Sequence, residues 1–338
     1  MPEKSSFRLA VVGATGAVGQ EVLRVLEKKR LPVKSLSCFA SERSQGKSVS
    51  FHGKNIPLQI LKKGCFKASD IAIFCAGRKI AQDHAPIAVQ EGAVVVDCSS
   101  FFRMDPEVPL VIPEINSHAL KNHKGIIANP NCSTAIMLMP LAPLHREFGI
   151  KRIIAATYQA ASGAGALAME ELKLETKAYL EQKTFTRKVF PFQYAFNLFT
   201  HDSPLKENGY VEEELKMLYE TRKILEDETI AVSATCVRVP ILRVHSEALN
   251  VEFHRPITKE KACAILNKTS GVSVFEDREQ NRFPMPLDAM GQDSVFCGRI
   301  REDLSLSNTL EFWVVGDQLL KGAALNAVQI VELLRNNP

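Results

Sequence analysis

The sequence predicts an α/β protein: a doubly wound parallel sheet first, then an α+β domain. Three observations carry this expectation. Short apolar runs alternate with helical patterns up to about residue 130, the signature of parallel strands with helical crossovers. Beyond that point longer strand-like runs mix with long helical stretches, which suits an antiparallel or mixed sheet. The 338 residues exceed one ordinary core and call for two or three domains.

In order along the chain, FRLAVVG reads as a buried strand and AVGQEVLRVLEKK as an amphipathic helix. SLSCFAS, DIAIFCAG, AVVVDCS and GIIANP read as further strands, with the helical RKIAQDHAPIAVQEG between DIAIFCAG and AVVVDCS. STAIMLMPLAPLHREFG is helical and KRIIAATYQAA a strand. KENGYVEEELKMLYETRKILE has the spacing of a charged surface helix. TIAVSATCVRVPIL, ALNVEFHRP and TLEFWVVGD are strand-like, and ITKEKACAILNKT is helical. QLLKGAALNAVQIVELLRNN closes the chain as an apolar-periodic helix that includes Gly322. The expected domains are 1–130, joined by a last helix over 318–338, and 131–317.

A composition of 46% hydrophobic and 24% charged residues excludes a disordered or fibrous chain. The net charge of +4 comes without a basic cluster, so no nucleic-acid partner is expected. The longest apolar stretch, near Ala135 to Leu144, is short for a bilayer and holds two prolines. No signal-peptide pattern precedes the first strand. The expectation is a cytoplasmic protein without a membrane partner. None of the eight cysteines forms a CxxC pair, so no metal site is expected, and seven of them read as buried core.

The first strand ends in GATGAVG, Gly13 to Gly19. Small residues between a strand and a helix let backbone N–H groups approach a pyrophosphate at the helix start. This points to a Rossmann-type nucleotide domain. The second strand ends at CFASERSQG. An NAD site usually places a ribose-binding carboxylate there, whereas Ser41, Arg43 and Ser44 suit a 2′-phosphate. NADP is therefore the expected cofactor, and Glu42 in the same loop leaves NAD open.

NPNCSTAIMLMPL puts Cys132 at the start of a helix, behind the turn Asn129–Asn131. There the helix dipole and unpaired backbone N–H groups favour a thiolate and suit an oxyanion. A thiolate nucleophile needs a base. Among the histidines, His245 lies just past a strand-like run, with Arg238 and Arg243 before it, which suits a site for anions. Spacing alone does not bring it to Cys132.

Together GATGAVG, NPNCST, YQAASGAG, VRVP with HSE, and KGAALNA resemble the aspartate-semialdehyde dehydrogenase family over nearly the whole chain. The resemblance implies a Rossmann domain plus a catalytic and dimerisation domain, in a homodimer. It implies Cys132 as nucleophile, His245 as acid–base group and Gln159 as the residue orienting the acyl group. It assigns Arg238 to the substrate carboxylate, Glu213 to the substrate amino group, and Arg103 and Lys216 to phosphate. It assigns Gly13, Thr15, Gly16, Ala17, Val18, Arg43, Ser44, Ser162, Gly163 and Gln318 to NADP. One departure is Phe101 in SSFFRMD, where the family often has a small residue.

The implied reaction is the reversible, NADP-linked interconversion of L-4-aspartyl phosphate and L-aspartate 4-semialdehyde through a Cys132 thioester, on the route to lysine, threonine, methionine and diaminopimelate. Two alternatives stay open: an N-acetyl-γ-glutamyl-phosphate reductase-like enzyme, and a catalytically dead nucleotide sensor.

Overall fold

The computed structural model describes residues 6–336. Met1–Ser5, before the first strand, and Asn337–Pro338, at the end of the expected last helix, lie outside the described residues. The chain groups into two compact units. One runs to Pro130 and resumes at Ala323; the other is Asn131–Gly322.

The first unit contains β1 (Phe7–Val12), α1 (Ala17–Lys28), β2 (Val33–Phe39), β3 (Ser48–Phe51), β4 (Lys54–Gln59), β5 (Ile71–Phe74), α2 (Arg78–Gln90), β6 (Val94–Asp97), α3 (Pro113–Asn116) and β7 (Ile126–Ala128), with the C-terminal helix Leu325–Asn336. Its sheet has the order β3-β4-β2-β1-β5-β6-β7. Every neighbouring pair is parallel except β3 with β4. Strand order reverses at β1, and in such sheets ligands bind beyond the carboxyl ends at that reversal. β5 is buried along its whole length, as a strand covered on both faces requires. The β3–β4 hairpin was not legible in the sequence. Its turn has positive φ at His52 and Gly53, a geometry that Asn-Gly signals more clearly.

The second unit contains α4 (Cys132–Phe148), β8 (Ile150–Gln159), α5 (Ala166–Leu180), β9 (Phe199–Thr200), α6 (Glu212–Leu225), β10 (Ala231–Arg238), β11 (His245–Phe253), α7 (Lys259–Leu266), β12 (Val272–Val274), α8 (Pro286–Ala289), β13 (Val295–Glu302) and β14 (Thr309–Gly316). Its sheet is mixed, in the order β12-β13-β14-β11-β8-β10-β9. α4 is apolar on all sides and buried from Ser133 to Ala142, as a helix inside a core must be. It packs against α6 and strands β8, β11, β13 and β14.

Three expectations change. The charged helix is not a surface element: α6 buries Glu213, Met217, Glu220, Thr221 and Ile224, one stripe at helical spacing, against its neighbours. The last helix does not start at residue 318; a π-helical turn occupies Leu320–Ala324 and the α-helix begins at Leu325. Of the seven cysteines read as core, only Cys38, Cys236 and Cys297 are fully buried. Cys65, in a turn, Cys263, on α7, and Cys75 and Cys98, just past the ends of β5 and β6, are partly exposed. Among the described residues no helix is long and apolar enough to cross a membrane.

Candidate active site

In the second unit the site is built around the start of α4. Cys132 is its first residue and is half-buried. Asn131 caps the helix, its Oδ1 accepting from Ser133 N at 3.0 Å and Thr134 N at 3.2 Å. Two N–H groups expected to await an oxyanion are thus already taken by the cap. Asn131 is fixed in turn by α6: its backbone N donates to Glu220 Oε2 at 2.6 Å and its Nδ2 to Glu213 Oε1 at 2.8 Å.

Gln159, at the end of β8, donates to Ser133 Oγ at 2.7 Å and reaches Glu213 Oε1 at 3.4 Å. Its Oε1 is buried without a partner. Lys216 Nζ lies 3.0 Å from Glu213 Oε2. Two side chains assigned to different ligand groups therefore neutralise each other here. Burial pushes the Glu213 carboxyl upward, but Lys216, His201 and the Asn131 hydrogen bond outweigh it and hold the group well below its ordinary range.

His245, the first residue of β11, is completely buried. Its Nδ1 accepts from Ala160 N at 3.0 Å, and Nε2 has no protein partner. A backbone N–H can only donate, so the neutral ring carries its proton on Nε2. Accepting a proton at Nε2, as the oxidative direction expects, requires the ring to leave the Ala160 amide. Burial, then the charge of Arg238, pulls the imidazole pKa down to about 3.

Arg238, at the end of β10, is 5% exposed. Nε contacts Asp202 Oδ1 at 3.0 Å, and the guanidinium carbon sits 5.5 Å from the centre of the Phe190 ring. A Cβ added to Gly163 would meet His245 Nε2 at 3.1 Å and Arg238 Nη1 at 3.2 Å. The imidazole and the outer guanidinium edge therefore face the same small residue. A Cβ at Gly322 would meet Cys132 Cβ at 2.8 Å, so only glycine lets the π-turn approach the thiol. Gln318, just before that turn, accepts from Val244 N at 2.8 Å and donates to Ser162 Oγ. Its amide is spent on holding the loop in front of His245. There Val244 has φ 81°, a left-handed conformation that a β-branched residue adopts only under strain.

The second unit thus brings together Cys132, Gln159, Glu213 and Lys216 as one cluster, and His245, Arg238 and Gly163 as another, with Ser162 and Gln318 adjoining. Sequence reasoning missed Asn131 as a cap, Glu220, Asp202, Phe190, Ala160 and Gly322. Only the asparagine before a helix pattern carried a usable signal.

In the first unit a cavity of about 590 Å³ opens beside the glycine turn, lined by Gly13, Thr15, Gly16, Ser41, Glu42 and Arg43 among others. Gly13 has φ 81°, and a Cβ there would strike the Cys75 carbonyl oxygen at 2.6 Å. The N-cap of α1 is Gly16, which offers no side chain, so the first helical N–H groups remain for an anion. Ala17, Val18 and Ser44 are outside the lining, which instead includes Ile60, Leu61, Ile80 and His84. Size, glycine turn, uncapped helix start and a guanidinium at the rim fit a nicotinamide nucleotide. Arg103 is nearly buried and held at the carboxyl end of the sheet, donating to Asn129 O at 2.9 Å and Cys98 O at 3.2 Å.

A nucleotide-binding α/β unit joined in one chain to a mixed-sheet unit with a capped cysteine and a buried histidine defines a thiol-dependent dehydrogenase. Family comparison agrees: residues 8–123 match the semialdehyde dehydrogenase NAD binding domain, and residues 141–321 match the semialdehyde dehydrogenase dimerisation domain. The chain is 52% identical over 330 residues to the aspartate-semialdehyde dehydrogenase of Synechocystis sp., covering 98% of each protein. It is 50% identical to that of Aquifex aeolicus, covering 97% of this chain and 98% of the other. Among solved structures, aspartate semialdehyde dehydrogenase II of Vibrio cholerae complexed with ASA superposes with a TM-score of 0.96 at 42% identity, covering 98% of this chain and 99% of that one. The Candida albicans enzyme with NADP gives 0.78 at 26% identity, with the same coverage. The chain belongs to the aspartate-semialdehyde dehydrogenase family.

Proposed function

We propose that this protein catalyses the reversible, NADP-dependent reductive dephosphorylation of L-4-aspartyl phosphate to L-aspartate 4-semialdehyde, as a cytoplasmic homodimer in lysine, threonine, methionine and diaminopimelate biosynthesis. The observation that carries the reading is Cys132 at the capped start of a buried helix, tied through Asn131 to Glu213 and through Ser133 to Gln159. Membership of the family supplies the reaction, and the dimerisation-domain match supports the homodimer.

In the reductive direction the Cys132 thiolate attacks the acyl-phosphate carbonyl and displaces phosphate, leaving a thioester. Gln159 orients the acyl group, and Arg238 holds the α-carboxylate. Glu213 is the partner of the amino group; its ionised carboxylate supports this role, since an N-acetylated substrate has no cation for it. Arg103 and Lys216 are the phosphate-binding cations. His245, with its proton on Nε2, donates to the acyl oxygen as negative charge develops. Bound NADPH supplies the hydride. Collapse of the hemithioacetal then returns the thiolate and releases the aldehyde.

Gly13, Thr15, Gly16, Ala17, Val18, Arg43 and Ser44 serve NADP, with Ser162, Gly163 and Gln318 from the second unit. Arg43 at the cavity rim supports NADP over NAD. The deciding assay is reduction of NADP+ by aspartate semialdehyde, with and without phosphate, beside N-acetylglutamate semialdehyde. Phosphate-dependent turnover of the first substrate alone is expected; turnover of the second, or none, would overturn the reading.

A further inference from the structure

Two thiols that the proposed reaction does not use meet at the nucleotide cavity. β5 and β6 are parallel, with Phe74 paired to Asp97. Cys75 and Cys98 are the next residue on each strand, and Cys98 N donates to Phe74 O at 2.9 Å. In-register residues project to the same face, and neighbouring strands lie about 4.7–4.9 Å apart. That spacing falls within the roughly 4.4–6.8 Å between Cα atoms that a disulfide bridges. Both thiols are free and partly exposed. Cys75 also lines the cavity shared with Gly13 and Arg43, and its carbonyl oxygen is the atom that a Cβ added at Gly13 would strike first, at 2.6 Å.

We infer that Cys75 and Cys98 form a redox-modification site, a dithiol that a low-molecular-weight disulfide closes into a disulfide bond, weakening cofactor binding in the adjoining cavity. The inference rests on the reading of that cavity as the nicotinamide-nucleotide site. The neighbouring Cys98, and burial, hold the Cys75 thiol protonated, so Cys98 attacks first. Arg103 donates to the Cys98 carbonyl oxygen at 3.2 Å and anchors that end of β6. The Cys98 thiolate attacks one sulfur of the reagent disulfide, whose S–S bond breaks and releases one thiolate. Cys75 then loses its proton to that thiolate and attacks the Cys98 sulfur, displacing the second. Two protein thiols lose two electrons and two protons, and one reagent disulfide becomes two thiols. Bridging draws the end of β5 toward β6, on the side away from β1, and so shifts the Cys75 carbonyl relative to the Gly13 turn that must cradle the pyrophosphate.

The test uses the full-length Cys132→Ala protein, so that the catalytic thiol does not interfere. It is treated with glutathione disulfide, mapped by peptide mass spectrometry and titrated with NADPH. The expected result is a cross-linked Cys75–Cys98 peptide, lighter by two hydrogens, and an NADPH Kd raised by about tenfold or more. Dithiothreitol should reverse both, and adding either Cys98→Ser or Cys75→Ser should abolish both. Normal NADPH binding by the reduced protein without the cross-link, with glutathione retained on Cys98 alone, or with a cross-link that leaves Kd unchanged overturns the inference. A reduced protein that binds no NADPH overturns the nucleotide reading and the inference together.

Discussion

The backbone amide of Ala160 donates to Nδ1 of His245 across 3.0 Å, fixing both the orientation and the tautomer of a completely buried imidazole. The ring therefore offers an N–H at Nε2, with Arg238 beside it and Gly163 in front. With its pKa drawn down to about 3 by burial and by Arg238, His245 stays neutral through roughly pH 5–8, where an ordinary histidine titrates. In 15N-histidine NMR spectra the ring should show a protonated Nε2 and an unprotonated Nδ1, unchanged over that interval. A titration centred near the ordinary value of 6.5 would contradict the buried neutral ring.

Cys132→Ala should abolish turnover and leave NADPH binding intact; near-normal activity would sink the thioester mechanism. Asn131→Ala is the subtler variant. Losing an N-cap costs about 0.5–2 kcal/mol of stability. Here the same side chain also holds Glu213 at 2.8 Å. Stability should fall by no more than that range while kcat/KM falls much further. Parallel, small losses in both would reduce Asn131 to an ordinary cap.

Arg43→Ala should weaken NADPH binding far more than NADH binding, measured by fluorescence titration. The 2′-phosphate is the only group that distinguishes the two, and a guanidinium is suited to it. Equal losses would make Arg43 a plain rim charge.

Arg238→Lys should keep the attraction for a carboxylate but lose the two-point geometry that fixes its plane. The contact to Asp202 is made by Nε, which lysine lacks. A misplacement of about 1 Å can cost on the order of 100-fold in rate. The expected loss in kcat/KM therefore exceeds the roughly 0.5–1.5 kcal/mol of one ordinary hydrogen bond, with NADPH affinity unchanged. Wild-type kcat/KM in the lysine variant would refute the substrate role.

Glu247, on β11, is completely buried, and neither carboxylate oxygen has a partner. Burial raises its pKa well above the ordinary 4.5. An acid whose folded pKa is raised contributes stability below its unfolded pKa and loses that contribution as pH rises toward the folded value. Glu247→Gln removes this term. Relative to wild type, the variant should gain stability as pH is raised from about 4 to 8, compared by urea unfolding midpoints. A constant difference across that range would mean that the carboxyl is not kept neutral by the fold.

The strands of the first unit, the glycine turn and the position of Cys132 were legible because each depends on local rules: apolar period, small residues at a turn, an asparagine before a helix. The charged segment that became α6 misled because a buried carboxylate looks like a surface one until its partners are known. Glu213 and Glu220 are buried because Asn131 and Lys216 meet them, and Asn131 lies 82 and 89 residues away, respectively. β13 was missed because VFCGRIRE alternates only weakly and owes its place to pairing with β14 and β12.

By itself the sequence singled out the groups proposed to carry the chemistry, the thiol of Cys132, the imidazole of His245 and the guanidinium of Arg238, and showed that strands and helices would alternate before them. Local period and a helix start legible from residue type fix the alternation and the place of Cys132, while the roles of His245 and Arg238 come from the resemblance of their motifs to the family. Tertiary structure alone decided which protonation state and partners each group has. Ala160 selects the tautomer of His245, Asp202 takes one edge of Arg238, Asn131 takes two N–H groups at the helix start, and Gly322 leaves room for the thiol. Those contacts join residues distant in sequence, and burial makes each decisive because no water is there to substitute for a missing partner.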